Sequence, residues 1–246
     1  MLEIKNLSLK IKDKEILNDI TFKLKENKTT VLIGKNGSGK SSIIKAINGL
    51  VKYDGLITLN DVNILDYKPK ERAKKIAILP QHLDVVDITV YDLVKMGRNP
   101  YLGPFNKLND LDILKVEEAI KLFELNDLKY RSLTTLSGGE IQKAYLALLI
   151  ASNADIYIFD EPTTFLDIEF ENYFLDKLKQ YQNNKTILLV LHNITKAIEI
   201  ADEVIILDKG MIVFNDSKEK LLESKIIEKT FNVLKYQIND KVFYTK

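Results

Sequence analysis

The sequence predicts an α/β domain with a mostly parallel sheet, an N-terminal antiparallel β subdomain and an all-helical insertion. Three observations predict it. Apolar, β-branched runs such as TTVLIG (29–34), IYIFDEP (156–162) and TILLVLH (186–192) alternate with amphipathic stretches, as buried parallel strands alternate with crossover helices. The opening residues instead alternate apolar and polar, LEIKNLSLKI and then ILNDITFKLK, as half-buried strands do. From Thr89 to Ser152 the pattern is helical, with TVYDLVKMGR, LDILKVEEAIKLFEL and GGEIQKAYLALLIAS and no convincing strand between them.

Taken in order, KSSIIKAINGL continues TTVLIG as a helix, and GLITLN and IAILPQ read as further strands. Beyond the insertion, IYIFDEP, ENYFLDKLKQY, TILLVLH, ITKAIEIAD and EVIILDKG restore the strand–helix alternation. The tail reads as one helix, SKEKLLESKIIEKTF, and a closing hairpin, KYQINDKVFYTK. The expected division is one domain, with residues 1–88 and 153–246 as the α/β core and 89–152 as a helical subdomain.

Composition narrows the function classes. Thirty-six Lys and Arg against 35 Asp and Glu give a net charge of +1, which supplies no global field for nucleic acid. The basic run YKPKERAKK reads as a solvated helix face. The absence of cysteine removes disulfides and thiolate metal sites and fits a reducing cytosol. The opening residues alternate like a strand, not like a signal peptide. The longest apolar run, AYLALLIA, falls well short of the about 18 residues a membrane span needs.

The chemistry begins at GKNGSGKS (34–41), which satisfies G-x-x-x-x-G-K-[ST] between a strand and a helix, the mark of a P-loop NTPase core. Gly34, Gly37 and Gly39 let the backbone fold so that successive N–H groups face phosphate oxygens, with Lys35, Asn36, Ser38 and Ser42 completing the loop. Lys40 is expected on the β- and γ-phosphates and Ser41 on Mg²⁺. A plain glycine turn would not need this lysine and serine. Asp160 and Glu161 end a buried strand, where Asp160 suits the Mg²⁺ shell and Glu161 suits a base for the attacking water. A capped strand end would explain one acid, and a kinase would have to activate a hydroxyl instead, so the pair favours hydrolysis. His192, one of two histidines, and Gln81 also end strands and are expected near the γ-phosphate, Gln81 within reach of Mg²⁺ or the water. A second anion cradle, TLSGGEIQK (135–143), opens a long apolar helix.

Together these residues resemble the ATP-binding cassette ATPase of an ABC transporter, and the resemblance covers nearly the whole chain. It implies ATP and Mg²⁺ as cofactors, LSGGE (136–140) as the signature loop, Gln81 and His192 as the Q-loop and switch residues, and TTFLD (163–167) as holding the D-loop, with Asp167 near nucleotide. It implies a head-to-tail homodimer in which Ser137, Gly138 and Gly139 cap the nucleotide of the other copy. It also implies separate membrane permease subunits, indirectly an extracytoplasmic binding protein, a peripheral place on the cytoplasmic face of the membrane, and no nucleic acid partner. Three residues depart from the family pattern. Glu140 stands where glutamine is usual and is expected to point away and cap the helix, Ile11 stands where an aromatic usually stacks on adenine, and Thr164 replaces a serine. VYDLVKMGRNPYLG (90–103), with its GR-x-P string, and ERAKKIAILPQ (71–81) are similar to cassettes importing iron-siderophore, haem and cobalamin, with molybdate or tungstate importers close by. Of the apolar side chains of Val90, Leu93, Val94, Met96, Pro100 and Tyr101, part are expected to pack on the core and the rest to leave a groove for a permease. A soluble cassette acting on DNA or ribosomes would carry a coiled-coil insertion or two cassettes, and this sequence has neither.

Overall fold

The computed structural model describes the whole chain except residues 104–106, 182–183, 239–240 and 246, and leaves the side chains at 181, 238 and 241 undescribed. Part of the helical stretch and the turn of the closing hairpin thus lie outside the described residues. The chain runs through β1 (Leu2–Ile11), β2 (Lys14–Lys23), β3 (Thr29–Gly34), α1 (Lys40–Ile47), β4 (Asp54–Leu59), β5 (Val62–Asn63), α2 (Pro69–Lys75) and β6 (Ile76–Leu79). Three helices follow, α3 (Val90–Met96), α4 (Asp110–Leu122) and α5 (Gly138–Ala151). Next come β7 (Ile156–Asp160), α6 (Ile168–Tyr181), β8 (Thr186–Val190), α7 (Ile194–Ile200), β9 (Glu203–Asp208) and β10 (Met211–Ser217). Helices α8 (Lys218–Glu223) and α9 (Ile226–Phe231) lead to β11 (Leu234–Ile238) and β12 (Lys241–Thr245). The chain folds as two compact units, Met1–Asp66 with Lys179–Lys246, and Tyr67–Leu178.

In the first unit β1 lies antiparallel between β2 and β4, which is the expected N-terminal antiparallel sheet. Its buried side chains, Leu2, Ile4, Leu7 and Leu9, shift by one position in mid-strand. The register slips between Ile4 and Leu7, and Asn6 takes a left-handed φ of 49°. A bulge there keeps both apolar pairs on the core face. Across the bulge a Cβ on Gly55 would lie 2.4 Å from the Asn6 carbonyl oxygen, so only glycine fits. Strand β3 is parallel to both β8 and β9 and is buried from Thr29 to Ile33. Such strands show no alternation because both faces are covered.

In the second unit β6 and β7 run parallel, and α3, α4 and α5 pack on one another. An aromatic cluster fills part of its core: Phe159 meets Phe174 edge-on at 5.6 Å, and Phe123 lies 6.3 Å from both Phe170 and Phe174. The basic helix α2 buries no side chain, as a solvated face should.

The GR-x-P string has a packing role. Gly97 sits so close to α5 that a Cβ would come 2.5 Å from the Leu148 carbonyl oxygen. Arg98, 4% exposed, pairs with buried Asp112 at 2.9 Å and donates from Nη1 to the Ala151 carbonyl at 2.9 Å. The other Asp112 oxygen accepts the Asn109 N–H in the capping box of α4. One carboxylate thus ties the end of α3 to the start of α4.

One expectation is corrected. The tail forms two short helices, not one, because the Ser224 hydroxyl turns back on the Leu221 carbonyl at 2.8 Å and accepts the Ile226 N–H at 3.3 Å. A serine that bonds its own backbone competes with helix continuation.

Two stability predictions follow from these contacts. Asp112→Ala leaves the Arg98 guanidinium buried without its counter-ion and should cost about 3–5 kcal/mol in chemical denaturation. Glu140 closes the capping box of α5, accepting the Ser137 N–H at 2.7 Å. The Ser137 N–H and hydroxyl hold its carboxyl below the usual glutamate range. A carboxyl lowered on folding stabilises above its unfolded pKa, about 4.3, and loses that contribution as pH falls through the folded value. Glu140→Gln should therefore cost roughly 0.5–1 kcal/mol at neutral pH, a helix-cap magnitude. In paired melting curves the difference should close below about pH 4.

Candidate functional site

The phosphate loop grows out of β3. Gly37 and Gly39 adopt φ of 76° and 110°, which side chains rarely tolerate, and Gly39 is the N-cap of α1. A Cβ on Gly34 would lie 2.4 Å from the Leu207 carbonyl oxygen and 2.5 Å from Ser38 Oγ. Lys40, 6% exposed, bends back so that Nζ donates to the Gly34 carbonyl at 2.8 Å and the Lys35 carbonyl at 3.2 Å. Its ammonium is thereby held inside the loop. Ser38 Oγ is buried without a hydrogen-bond partner. Lys35, Asn36 and Gly37 are exposed at the rim, and Ser41 and Ser42 are half-buried in the first turn of α1.

In the same unit β8 runs parallel beside β3, with Val190 opposite Leu32. Both strands leave the sheet at one end, β3 into the phosphate loop and β8 toward His192. The strand stops at Val190, so His192 is an exposed loop residue two positions beyond it. Ile11, at the end of β1, is 49% exposed and offers an apolar surface.

The second unit carries the acids. Leu79 on β6 lies opposite Phe159 on β7, and two residues past each are Gln81 and Glu161. They meet as that register requires: Gln81 Nε2 donates to Glu161 Oε2 at 2.7 Å. Asp160 and Glu161 are 4% and 8% exposed. Glu161 takes a left-handed φ of 57°, a conformation that costs on the order of 1–3 kcal/mol in a non-glycine residue. Thr164 Oγ1 donates to the Glu161 carbonyl at 3.0 Å, so the hydroxyl retained at this departure is in use. Asp167 Oδ1 accepts the Phe170 N–H at 2.7 Å and caps α6.

The signature glycines, Gly138 and Gly139, open α5 behind the N-cap Ser137. A Cβ on Gly139 would lie 3.1 Å from the Phe165 carbonyl oxygen, so the glycine lets the loop after Glu161 approach the helix. Glu140 does cap the helix, but it does not point away. Its Oε2 also accepts the Ser137 hydroxyl at 2.8 Å. In this arrangement the carboxylate occupies the Ser137 hydroxyl, one of the donors that the family resemblance assigns to a phosphate.

Of the six side chains expected to divide between core and groove, Val90, Leu93 and Val94 belong to the core. The Tyr101 ring is covered by the Arg98 guanidinium at 3.9 Å. Met96 is 44% exposed, and the neighbouring stretch before α3 exposes Val85 and Val86. Sequence reasoning missed Gln142 and Tyr145. Gln142, 3% exposed, donates from Nε2 to the Pro162 carbonyl at 2.7 Å, and the Tyr145 hydroxyl donates to the Asp84 carbonyl at 2.5 Å. The one signal available was two polar side chains three apart on an apolar helix.

The residues present fit a nucleoside triphosphate and a hard cation. The glycine loop has no room for a side chain at Gly34 or Gly39, holds an ammonium at its centre and keeps a buried hydroxyl unpartnered, all of which suit phosphate oxygens. Ser41 in the first unit, and Gln81 and Asp160 in the second, each carry an oxygen donor of the kind Mg²⁺ prefers. Among the described residues no three His, Cys, Asp or Glu side chains gather as a metal cluster.

The family model for the ABC transporter domain matches residues 17–164. The chain is 32% identical to the petrobactin import ATP-binding protein FpuC of Bacillus anthracis, over 93% of this chain and 86% of that one. It is 31% identical to the achromobactin transport ATP-binding protein CbrD of Dickeya dadantii, over 98% of this chain and 91% of that one. Its fold superimposes with a TM-score of 0.79 on a dimeric ATP-binding cassette bound to ADP and phosphate, at 24% identity, covering 89% of this chain and 99% of the other. A family model that matches well over half of the chain, and relatives above 30% identity aligned along nearly all of it, show that this chain belongs to the ABC transporter family.

Proposed function

We propose that this protein is the ATP-hydrolysing subunit of an importer for a metal chelate, of the iron-siderophore type, and that it acts as a head-to-tail dimer beneath a separate permease. The observation that carries the catalytic reading is Glu161. A buried carboxylate at a strand end, held in a left-handed conformation and pinned by an amide at 2.7 Å, is a costly arrangement that a merely structural turn would not need. The import reading is supported by the siderophore relatives, which align along nearly the full chain.

In the proposed chemistry Gly34 to Ser42 receive the phosphates of ATP, and Ile11 gives the adenine an apolar contact. Lys40 exchanges its loop carbonyls for phosphate oxygens, a trade of neutral acceptors for charged ones that strengthens each bond. Ser41, Asp160 and Gln81 would hold Mg²⁺, which when bound neutralises phosphate charge. Glu161 orients the attacking water and accepts its proton as oxygen bonds to the γ-phosphorus and the bond to the bridging oxygen breaks. His192 steadies the γ-phosphate and the water, and Asp167 lies by the nucleotide. Ser137, Gly138 and Gly139 cap the nucleotide of the second copy from a helix N-terminus. For that cap to form, the Ser137 hydroxyl must leave Glu140.

Among the described residues no helix is long and apolar enough to cross a membrane, so transport force passes through surface contact. We assign that contact to the helical subdomain, residues 89–152, at exposed Met96 and the stretch before α3. The setting is the cytoplasmic face of the membrane, with an extracytoplasmic binding protein delivering substrate to the permease.

Two variants test these roles. Glu161→Gln should lower kcat by at least about a hundredfold with ATP affinity retained, and should accumulate as an ATP-bound dimer on size exclusion. Near-normal turnover would remove Glu161 as the base. Ser137→Arg should lose about 1 kcal/mol of helix cap yet bind ATP as a monomer, while ATP-dependent dimerisation disappears. Loss of monomer binding would show that the loop serves its own nucleotide. Cells lacking the gene should lose uptake of radiolabelled iron-siderophore, and unaltered uptake sinks the substrate class alone.

A further inference from the structure

The pairing of Gln81 with Glu161 joins two loops that have no strand to hold them. Strand β6 ends at Leu79 and β7 at Asp160, so each partner sits past the last ladder residue. Both loops nevertheless return to one helix. From α5, Gln142 donates to the carbonyl of Pro162, the residue after Glu161, and Tyr145 donates to the carbonyl of Asp84, three residues after Gln81. Residues three apart share a helix face, so the two donors stand side by side. A third contact acts in the same place, since Gly139 lets the Phe165 carbonyl oxygen approach the first turn of α5.

We infer that Gln142 and Tyr145 are positioning residues for hydrolysis, holding the Glu161 loop and the Gln81 loop at fixed points along α5 so that the base and its amide partner stay in register. This rests on the reading of Glu161 as the base. The Gln142 bond is nearly water-free, and its partner carbonyl directly follows the residue under backbone strain. A strained φ persists only where its surroundings over-determine it. The Thr164 hydroxyl clamps the Glu161 carbonyl on one side, and Gln142 clamps the next peptide on the other. Helix α5 begins at the signature glycines, so the segment proposed to cap the partner's nucleotide is the same rigid rod that aims this copy's own base. A shift of α5 along its axis moves Gln142 and Tyr145 together. Capping one nucleotide is thereby linked to the geometry of hydrolysing the other.

The test is a kinetic double-mutant cycle on the full chain. Gln142→Met keeps the volume and removes the donor, and Tyr145→Phe removes one hydroxyl and is the safer variant for folding. Misplacement of a catalytic group by about 1 Å costs up to a hundredfold, so Gln142→Met should lower kcat about ten- to a hundredfold and Tyr145→Phe a few-fold, with KM for ATP within about twofold. Placed in Glu161→Gln, Gln142→Met should not lower the residual rate further, because it acts through the residue already removed. Both variants keeping kcat within about twofold beside a crippled Glu161→Gln would overturn the positioning role, even where melting temperature falls. A fully multiplicative loss from Gln142→Met in the Glu161→Gln background would overturn it as well. Near-normal turnover of Glu161→Gln alone would instead overturn the assignment of the base.

Discussion

A carboxylate that is nine-tenths buried must find a partner, and Glu161 finds the amide of Gln81. Much of the second unit is arranged around that requirement. Parallel pairing of β6 and β7 brings Leu79 level with Phe159, so the two chains leave the sheet in step and deliver Gln81 and Glu161 to the same height. The left-handed turn at Glu161 reverses the chain immediately, which lets Pro162 reach Gln142 and Phe165 reach Gly139. The strain at one residue is offset by contacts made by its neighbours. A carboxylate placed by a relaxed turn would have no such scaffold and would reorient with the loop.

The glycines of the two anion cradles serve different ends. In the phosphate loop, Gly37 and Gly39 are needed for their φ and Gly34 for want of space, since carbonyl and hydroxyl oxygens already fill the position of a Cβ. In the signature helix neither glycine has an unusual φ. Gly138 would place a Cβ at ordinary distance, 3.9 Å, from Phe165, and only Gly139 is tight. Bare backbone at a helix N-terminus leaves its N–H groups open to a ligand from outside. Here the first claimant is Glu140, whose carboxylate takes both donors of Ser137. Capping its own helix and capping a phosphate are therefore alternatives for this serine.

Sequence alone determined what depends on neighbours in the chain. Strand β3, the glycine loop and α1 follow one another within a few residues, and their chemistry is local, so GKNGSGKS could be read as a phosphate site without a fold. The same holds for the paired acids after IYIF and for Ser137 with Glu140 three residues later, where the capping box is a matter of helix spacing. The bulge at Asn6 left its mark in the one-residue slip between Ile4 and Leu7, although only the ladder gave it a meaning. Tertiary structure decided what depends on distance through space. Arg98 meets Asp112 and the end of α5 at separations of 14 and 53 residues, so a string that resembles chelate importers also contains a buried clamp. Gln142 reaches across 20 residues and Tyr145 across 61, and a polar residue on an apolar helix does not announce which carbonyl it will find. The left-handed turn at Glu161 was likewise invisible, because a glutamate's intrinsic preference opposes it and only the surrounding contacts impose it.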